Sequence, residues 1–282
     1  MTHDETRRAE GEAIVVAAGL RKVFPGPRKD EPVVAVDDVS FELHANECLA
    51  IVGESGSGKT TVARMLVGLE TVTDGRLSVR GESRAGGVRR LADRRRWARE
   101  VQYVFQDPYS SLNGRQRIGD IVATSVGLHA GAATTRREVR ARALDILDRV
   151  GLGERFAEQH PHQLSGGQRQ RVAIARALAA DPAVIVLDEA VAALDVSIQA
   201  QILNLLADIR ASREVSYLFI SHDLAVVNQI SDRMIVMEQG RVVDQGRTAE
   251  LLADPVHPYT RSLRAAVPRP GWKPVRRERL AS

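Results

Sequence analysis

A chain of 282 residues that is 44% hydrophobic can bury a sizeable core, which excludes a disordered tail or a mini-protein and fits one large domain or a core with an insertion. Its net charge of +4 comes mainly from arginine, because lysine occurs only at Lys22, Lys29, Lys59 and Lys273. No apolar run approaches the roughly 20 residues of a membrane-spanning helix, and residues 1–12 are charged without the apolar centre of a signal peptide, so the chain is expected in the cytoplasm unless a partner holds it at a membrane.

In chain order, residues 20–43 alternate short apolar runs with turn residues, including Phe24-Pro25-Gly26-Pro27, and predict antiparallel strands. A buried strand follows over 48–52 and includes the single cysteine, Cys48, which has no internal disulfide partner. Next comes Gly53-Glu54-Ser55-Gly56-Ser57-Gly58-Lys59-Thr60, with Thr61 beside it, opening a helix over 59–69. This is the spacing of a loop that wraps a nucleotide's phosphates in backbone amides at a helix N-terminus. Glycines let the chain approach an anion closely and turn successive N–H groups inward. Lys59 is placed to reach the β and γ phosphates, and the Thr60 hydroxyl can hold Mg²⁺. A glycine- and serine-rich turn that merely resembles the motif would lack the flanking strand and helix.

Residues 75–81 predict another strand, and the run 89–99 is basic. That run could contact nucleic acid or lipid headgroups, but it contains Asp93 and only Trp97 as a stacking aromatic, which favours a solvated helical face. A strand over 101–105 ends at Gln106-Asp107-Pro108, where proline stops it. Helical periodicity follows between 107 and 162, with Val139, Ala143, Ile146, Leu147 and Val150 on one face. Leu164-Ser165-Gly166-Gly167-Gln168 then opens a helix with a hydroxyl, exposed amides and the positive dipole end, a second anion site or an ordinary capped helix. A buried strand over 183–187 runs into Asp188-Glu189, which places two carboxylates at the ligand-binding edge of a parallel sheet. Asp188 can hold Mg²⁺ through water, and Glu189 is free to orient or deprotonate an attacking water, a role worth about 10² to 10⁴ in rate. The alternative for this pair is a helix-capping turn. A helix lined by Ile198, Ile202, Leu205, Leu206 and Ile209, a strand over 217–220 and a hairpin over 233–243 complete the pattern. Beyond Asp254, prolines at 255, 258, 268, 270 and 274 predict an extension of little regular structure.

The phosphate loop, Gln106, the Leu-Ser-Gly-Gly-Gln run, Asp188-Glu189, Ala193-Leu194-Asp195 and Ile220-Ser221-His222-Asp223 stand in an order that resembles the ABC-type ATPases, from about residue 13 to about residue 269. The resemblance implies an α/β fold: a P-loop (RecA-like) core with an antiparallel β subdomain and an α-helical insertion. It places the ATPase domain at 13–254 with the insertion at 107–165, and an extension of the oligopeptide-importer type at 255–282. Two such domains would sandwich two ATP molecules, each site using the phosphate loop of one chain and the segment Ser165, Gly166, Gly167 and Gln168 of the other. By resemblance Phe24 stacks on adenine, Gln106 senses Mg²⁺ and attacking water, His222 contacts the γ-phosphate, and Asp195 passes between the chains. From the residues alone, Phe24 would be a core phenylalanine and His222 a capping residue.

Residues 104–113, Ala193 to Gln201 and the tail His257-Pro258-Tyr259-Thr260-Arg261 look like the dipeptide and oligopeptide importer ATPases. That implies two transmembrane permease subunits, a second and different ATPase subunit, a solute-binding protein acting indirectly, and a peripheral place at the cytoplasmic face of the membrane. Nickel, opines or glycosides remain open as cargo. A soluble ABC ATPase acting on nucleic acid or ribosomes is the reading from another class; the coiled-coil or tandem-cassette additions usual there are not visible, and no nucleic acid is expected. Family members commonly have proline at Ala190, serine at Ala192 and proline at Gly114. The first two flank the carboxylate and bear on the local turn, but neither removes a ligand or the base, and hydrolysis is expected to survive. One cysteine cannot supply the iron–sulfur cluster that some relatives carry.

Overall fold

The computed structural model describes residues 13–26, 31–84, 86–87, 90–107, 111–131, 133–213 and 215–266. The buried strands β3 (Cys48–Val52), β6 (Val101–Val104), β7 (Val184–Asp188), β8 (Ser216–Ser221) and β9 (Arg233–Glu238) build a parallel sheet in the order 9-3-8-7-6. The near-continuous apolar runs of the central strands β3, β7 and β8 follow from burial on both faces, while the edge strand β6 is half-buried at Gln102 and Tyr103. Alternate residues go to opposite sides: Cys48, Ala50, Val52, Leu187 and Phe219 join one core, while Leu49, Ile51, Val186, Leu218 and Ile220 join the other. Cys48 is fully buried, and burial raises its thiol pKa far above the ordinary range.

The second core is closed by an antiparallel sheet and one helix. The sheet runs in the order β2 (Val33–His44), β1 (Ala13–Phe24), β4 (Asp74–Val79), β5 (Glu82–Ser83), and the helix is α1 (Lys59–Leu66). The first core is covered by helices. Among these, α3 (Ile118–His129) and α4 (Arg136–Arg149) form the expected helical stretch, with Thr135 and Glu138 capping α4 reciprocally. Helix α5 (Gly166–Leu178) is tied to that stretch, for Arg171 donates to the Val150 carbonyl at 2.7 Å and Arg176 to that of Ser111 at 2.5 Å. The sheet is flanked further by α6 (Val196–Arg213) and α7 (Leu224–Ile230).

Strand β10 (Arg241–Arg247) returns antiparallel to β9 across Gln239 and Gly240, both at positive φ, as a tight hairpin demands. The expected irregular tail is corrected over its described part. After α8 (Thr248–Ala253), residues Pro258–Ala265 form helix α9, because proline suits the first helical turn and His257 caps it. The prolines at 268, 270 and 274 lie outside the described residues, as do Pro27 and residues 108–110. In α2 (Leu91–Glu100), Trp97 is buried beneath the Arg84 guanidinium at 4.3 Å, and Arg96 pairs with Glu82 and Asp93. The one aromatic of the basic run is therefore not a stacking surface.

Candidate active site

Register brings the distant motifs together. Val52 pairs with Ser221, Asp188 with Ile220, and Val104 with Leu187, so the residues just beyond these pairs emerge along one edge of the parallel sheet. They are Gly53, Glu189, His222 and Gln106. With Lys59 and Thr60 they line one cleft of roughly 830 Å³, well within the size of small-molecule sites.

The loop between β3 and α1 is fixed by its glycines. A Cβ on Gly53 would stand 2.2 Å from the Met237 carbonyl oxygen, and one on Gly58, at φ +100, would stand 2.5 Å from that of Ala35. Lys59 is 5% exposed, and its ammonium donates to the carbonyl oxygens of Gly53 at 2.8 Å and Glu54 at 2.7 Å. Desolvation lowers its pKa, opposed by the carboxylates of Glu189 and Asp188. A buried cation whose direct partners are neutral oxygens is a ready receptor for phosphate.

Thr60 Oγ1 donates to Asp188 Oδ1 at 3.3 Å, which joins two of the three expected Mg²⁺ residues; the third, Gln106, bonds Glu189. Among the described residues no group of three or more His, Cys, Asp and Glu could hold a metal unaided. Two hard oxygen groups fit an Mg²⁺ that completes its shell with phosphates and water, where it would offset the triphosphate charge. The second Asp188 oxygen accepts from the Tyr103 hydroxyl at 2.5 Å. Burial raises the Asp188 pKa, and the hydroxyls of Tyr103 and Thr60 oppose that rise. Nothing in the motif pattern pointed to Tyr103; the available signal was a phenol in a short strand bounded by buried valines, where a covered hydroxyl needs a partner.

Glu189 is held at φ 48, an uncommon conformation for a residue with a Cβ and one that costs about 1–3 kcal/mol. Its backbone N–H donates to the Ile220 carbonyl at 2.9 Å. Its carboxylate accepts from Gln106 Nε2 at 2.9 Å and lies 3.2 Å from His222 Nδ1. The capping alternatives fail for both residues: Asp188 ends β7, and α7 is capped by Asp223, which accepts from the N–H groups of Ala225 and Val226. Ala190 is buried, and the Ala192 N–H donates to the Glu189 carbonyl at 3.1 Å, so backbone bonds close this turn without proline or serine. A Cβ on Gly114 would meet open space.

Other expected residues stand apart from this cleft. Phe24 ends β1 with the Lys22 ammonium 4.8 Å from its ring centre and does not line the cleft. Ser165 is exposed and caps α5 in a reciprocal box with Gln168, while Gly167 packs so tightly that a Cβ would lie 2.4 Å from Ile198 Cγ2. Asp195 is exposed just before α6. None of the residues 165–168 lines the cleft.

Comparison with known proteins gives a consistent result. The family model described as ABC transporter matches residues 36–192. The oligopeptide transport ATP-binding protein OppF of Bacillus subtilis (strain 168) is 44% identical over 261 residues, which cover 92% of this chain and 84% of that protein. The dipeptide transport ATP-binding protein DppF of Haemophilus influenzae is 42% identical over 275 residues, covering 96% of this chain and 83% of its own length. Among solved structures, the post-hydrolysis dimer of the ATP-binding cassette MJ0796 bound to ADP and Pi matches with a TM-score of 0.74 at 29% identity, over 83% of this chain and 98% of that one.

Proposed function

We propose, from the premise that this chain belongs to the ABC transporter family, that it is the ATP-hydrolysing subunit of an importer for di- or oligopeptides, seated peripherally at the cytoplasmic face of the membrane. The observation that carries the reading is the meeting of Lys59, Thr60, Glu189, Gln106 and His222 in one cleft, with Asp188 hydrogen-bonded to Thr60 beneath it. The names and 42–44% identity of the relatives OppF and DppF support peptide as cargo.

Lys59 and the loop amides bind the phosphates; Thr60 and Asp188 would hold an Mg²⁺, which would offset the phosphate charge. Glu189 takes a proton from the attacking water, with Gln106 and His222 orienting its carboxylate. Catalysis is then mainly positioning and charge stabilisation. Ser165 to Gln168 and Asp195, none of which lines the chain's own cleft and of which Ser165 and Asp195 are exposed, serve a second ATPase subunit, which we propose to be a different chain. The helical insertion within the ATPase domain, taken as 107–165 of 13–254, passes the motion of closure to two permease subunits. Two features suit that role: Gln106 stands where β6 leads into it, and Arg171 and Arg176 tie α5 to it. Adenine stacking by Phe24 belongs to the same proposal.

The test is capture of the tagged full chain from native membranes, with mass spectrometry of what stays bound. Two multispanning chains, a second ATPase and a solute-binding protein are the expected company, and the ligand on the last identifies the cargo. Recovery only in the soluble fraction, with nucleic acid or ribosomes, would overturn importer function and leave the ATP chemistry standing.

A further inference from the structure

The tail motif His257-Pro258-Tyr259-Thr260 identifies relatives, yet no step of ATP hydrolysis described above uses it. Its position does. The Gly53–Glu54 peptide, where the phosphate loop leaves β3, is gripped on both sides. Its carbonyl accepts from the Lys59 ammonium at 2.8 Å, and its N–H donates to the Tyr259 hydroxyl at 3.0 Å. Tyr259 stands in α9, whose neighbouring residue Thr260 is fully buried and donates to Asp244 Oδ2 on β10 at 3.0 Å. One and two turns beyond Tyr259, Leu263 and Ala266 line the same cleft as Lys59 and Glu189. Tyr259, Leu263 and Ala266 are spaced i, i+4 and i+7, a single helical face.

We propose that α9 is a wall of the nucleotide cleft and that Tyr259 is a positioning residue for the phosphate loop. A loop that aims most of its N–H groups at an anion must satisfy the remaining ones elsewhere, and the Glu54 N–H is one of these. Lys59 has a second task, because the same ammonium that holds the Gly53 carbonyl is the one placed for the β and γ phosphates. Once it turns to phosphate, Tyr259 is the side chain that still holds this peptide. Burial raises the Tyr259 pKa, so the phenol stays neutral at ordinary pH. The consequence is a C-terminal segment that sets how well the loop is formed for its ligand.

The inference rests on the ATPase reading, and its test separates the two. Wild-type full-length chain, Tyr259→Phe and Thr260→Val are titrated calorimetrically with Mg–ATP and, separately, with inorganic tripolyphosphate, and each is melted without ligand. Tyr259→Phe keeps the ring and loses only the hydroxyl. It should weaken both ligands by a common factor of about threefold to tenfold, the range for one hydrogen bond, with KM for ATP rising and kcat within about twofold. Thr260→Val, nearly isosteric, frees α9 from Asp244 and should lower both affinities in the same direction. Unchanged affinities in Tyr259→Phe overturn the assignment, and so does a lowered melting temperature with unchanged affinities, the mark of a purely structural contact. Failure of the wild-type chain to bind Mg–ATP would instead sink the ATPase reading.

Discussion

Tyr103 and Asp188 allow the energetics of the site to be tested without substrate. The hydroxyl lies 2.5 Å from a carboxylate oxygen, within the 2.5–2.7 Å of charge-assisted O–H···O⁻ bonds. Asp188 is 7% exposed, and its other hydroxyl donor, Thr60, is farther away at 3.3 Å. Tyr103→Phe removes the stronger donor from a buried anion and should cost about 2 kcal/mol, since hydrogen bonds to charged groups contribute about 1.5–3 kcal/mol. For a chain of this size that is a fall of roughly 4–8 °C in Tm. Asp188→Asn keeps an acceptor oxygen but removes the charge, so in that background the same change should cost only about 1 kcal/mol. The double-mutant cycle should therefore return a coupling of about 1 kcal/mol. Denaturant titrations of the four chains without nucleotide measure it, because bound ligand would mask part of the loss. A Tyr103→Phe chain within about 0.5 kcal/mol of wild type, or a coupling indistinguishable from zero, would refute the assignment of Tyr103 as the group that holds Asp188.

Glu189→Gln preserves size and the capacity to accept from Gln106; it should still bind ATP while kcat falls by about 10² to 10⁴, and wild-type steady-state hydrolysis would remove Glu189 as the base. At the same position Glu189→Gly should be more stable than Glu189→Ala by about 1 kcal/mol in denaturant titration, because glycine is unstrained at φ 48; the reverse order would show that the left-handed backbone is not what this residue endures. Gly53→Ala forces a Cβ to 2.2 Å from a backbone oxygen and should weaken nucleotide binding by about fivefold to a hundredfold, a loss of roughly 1–3 kcal/mol, whereas Gly114→Ala, facing open space, should stay within about 0.5 kcal/mol of wild type in both stability and affinity.

The parts legible in the sequence are those whose physics is local. A strand, a glycine-rich loop and a helix in direct succession announce the phosphate loop, and uninterrupted apolar runs announce strands covered on both faces. The hairpin turn at Gln239 and Gly240 is likewise a matter of adjacent residues with positive φ. The tail failed for the opposite reason. Its prolines favour irregular structure, yet Pro258 occupies the first helical turn, where its missing N–H costs nothing, and α9 is then held by contacts that no window of sequence contains. The bond from the Glu54 N–H to Tyr259 spans 205 residues, and that from Tyr103 to Asp188 spans 85. An apolar strand ending in two carboxylates pointed to Glu189, and motif order pointed to Gln106 and His222 through a family resemblance; their contact arises from the alignment of β6, β7 and β8.

That alignment also explains why strain sits at Glu189 and not elsewhere in the edge. In a continuing strand, side chains 188 and 189 would point to opposite faces of the sheet, and only one carboxylate could serve the cleft. Asp188, still in β7 and paired with Ile220, faces Thr60 and Tyr103. At Glu189 the N–H keeps its bond to Ile220, but φ switches to 48, and the next carboxylate meets Gln106 and His222. The reversal sends two consecutive acids to different partners, one toward Thr60 and Tyr103 and one toward Gln106 and His222. It costs about 1–3 kcal/mol, an expense the sheet can bear because the strand beneath is buried along its whole length and the turn beyond is closed by backbone bonds from Ala192 to Glu189 and from Leu194 to Val191. Those bonds need no particular side chain, which is why alanine at 190 and 192 leaves the carboxylate in place.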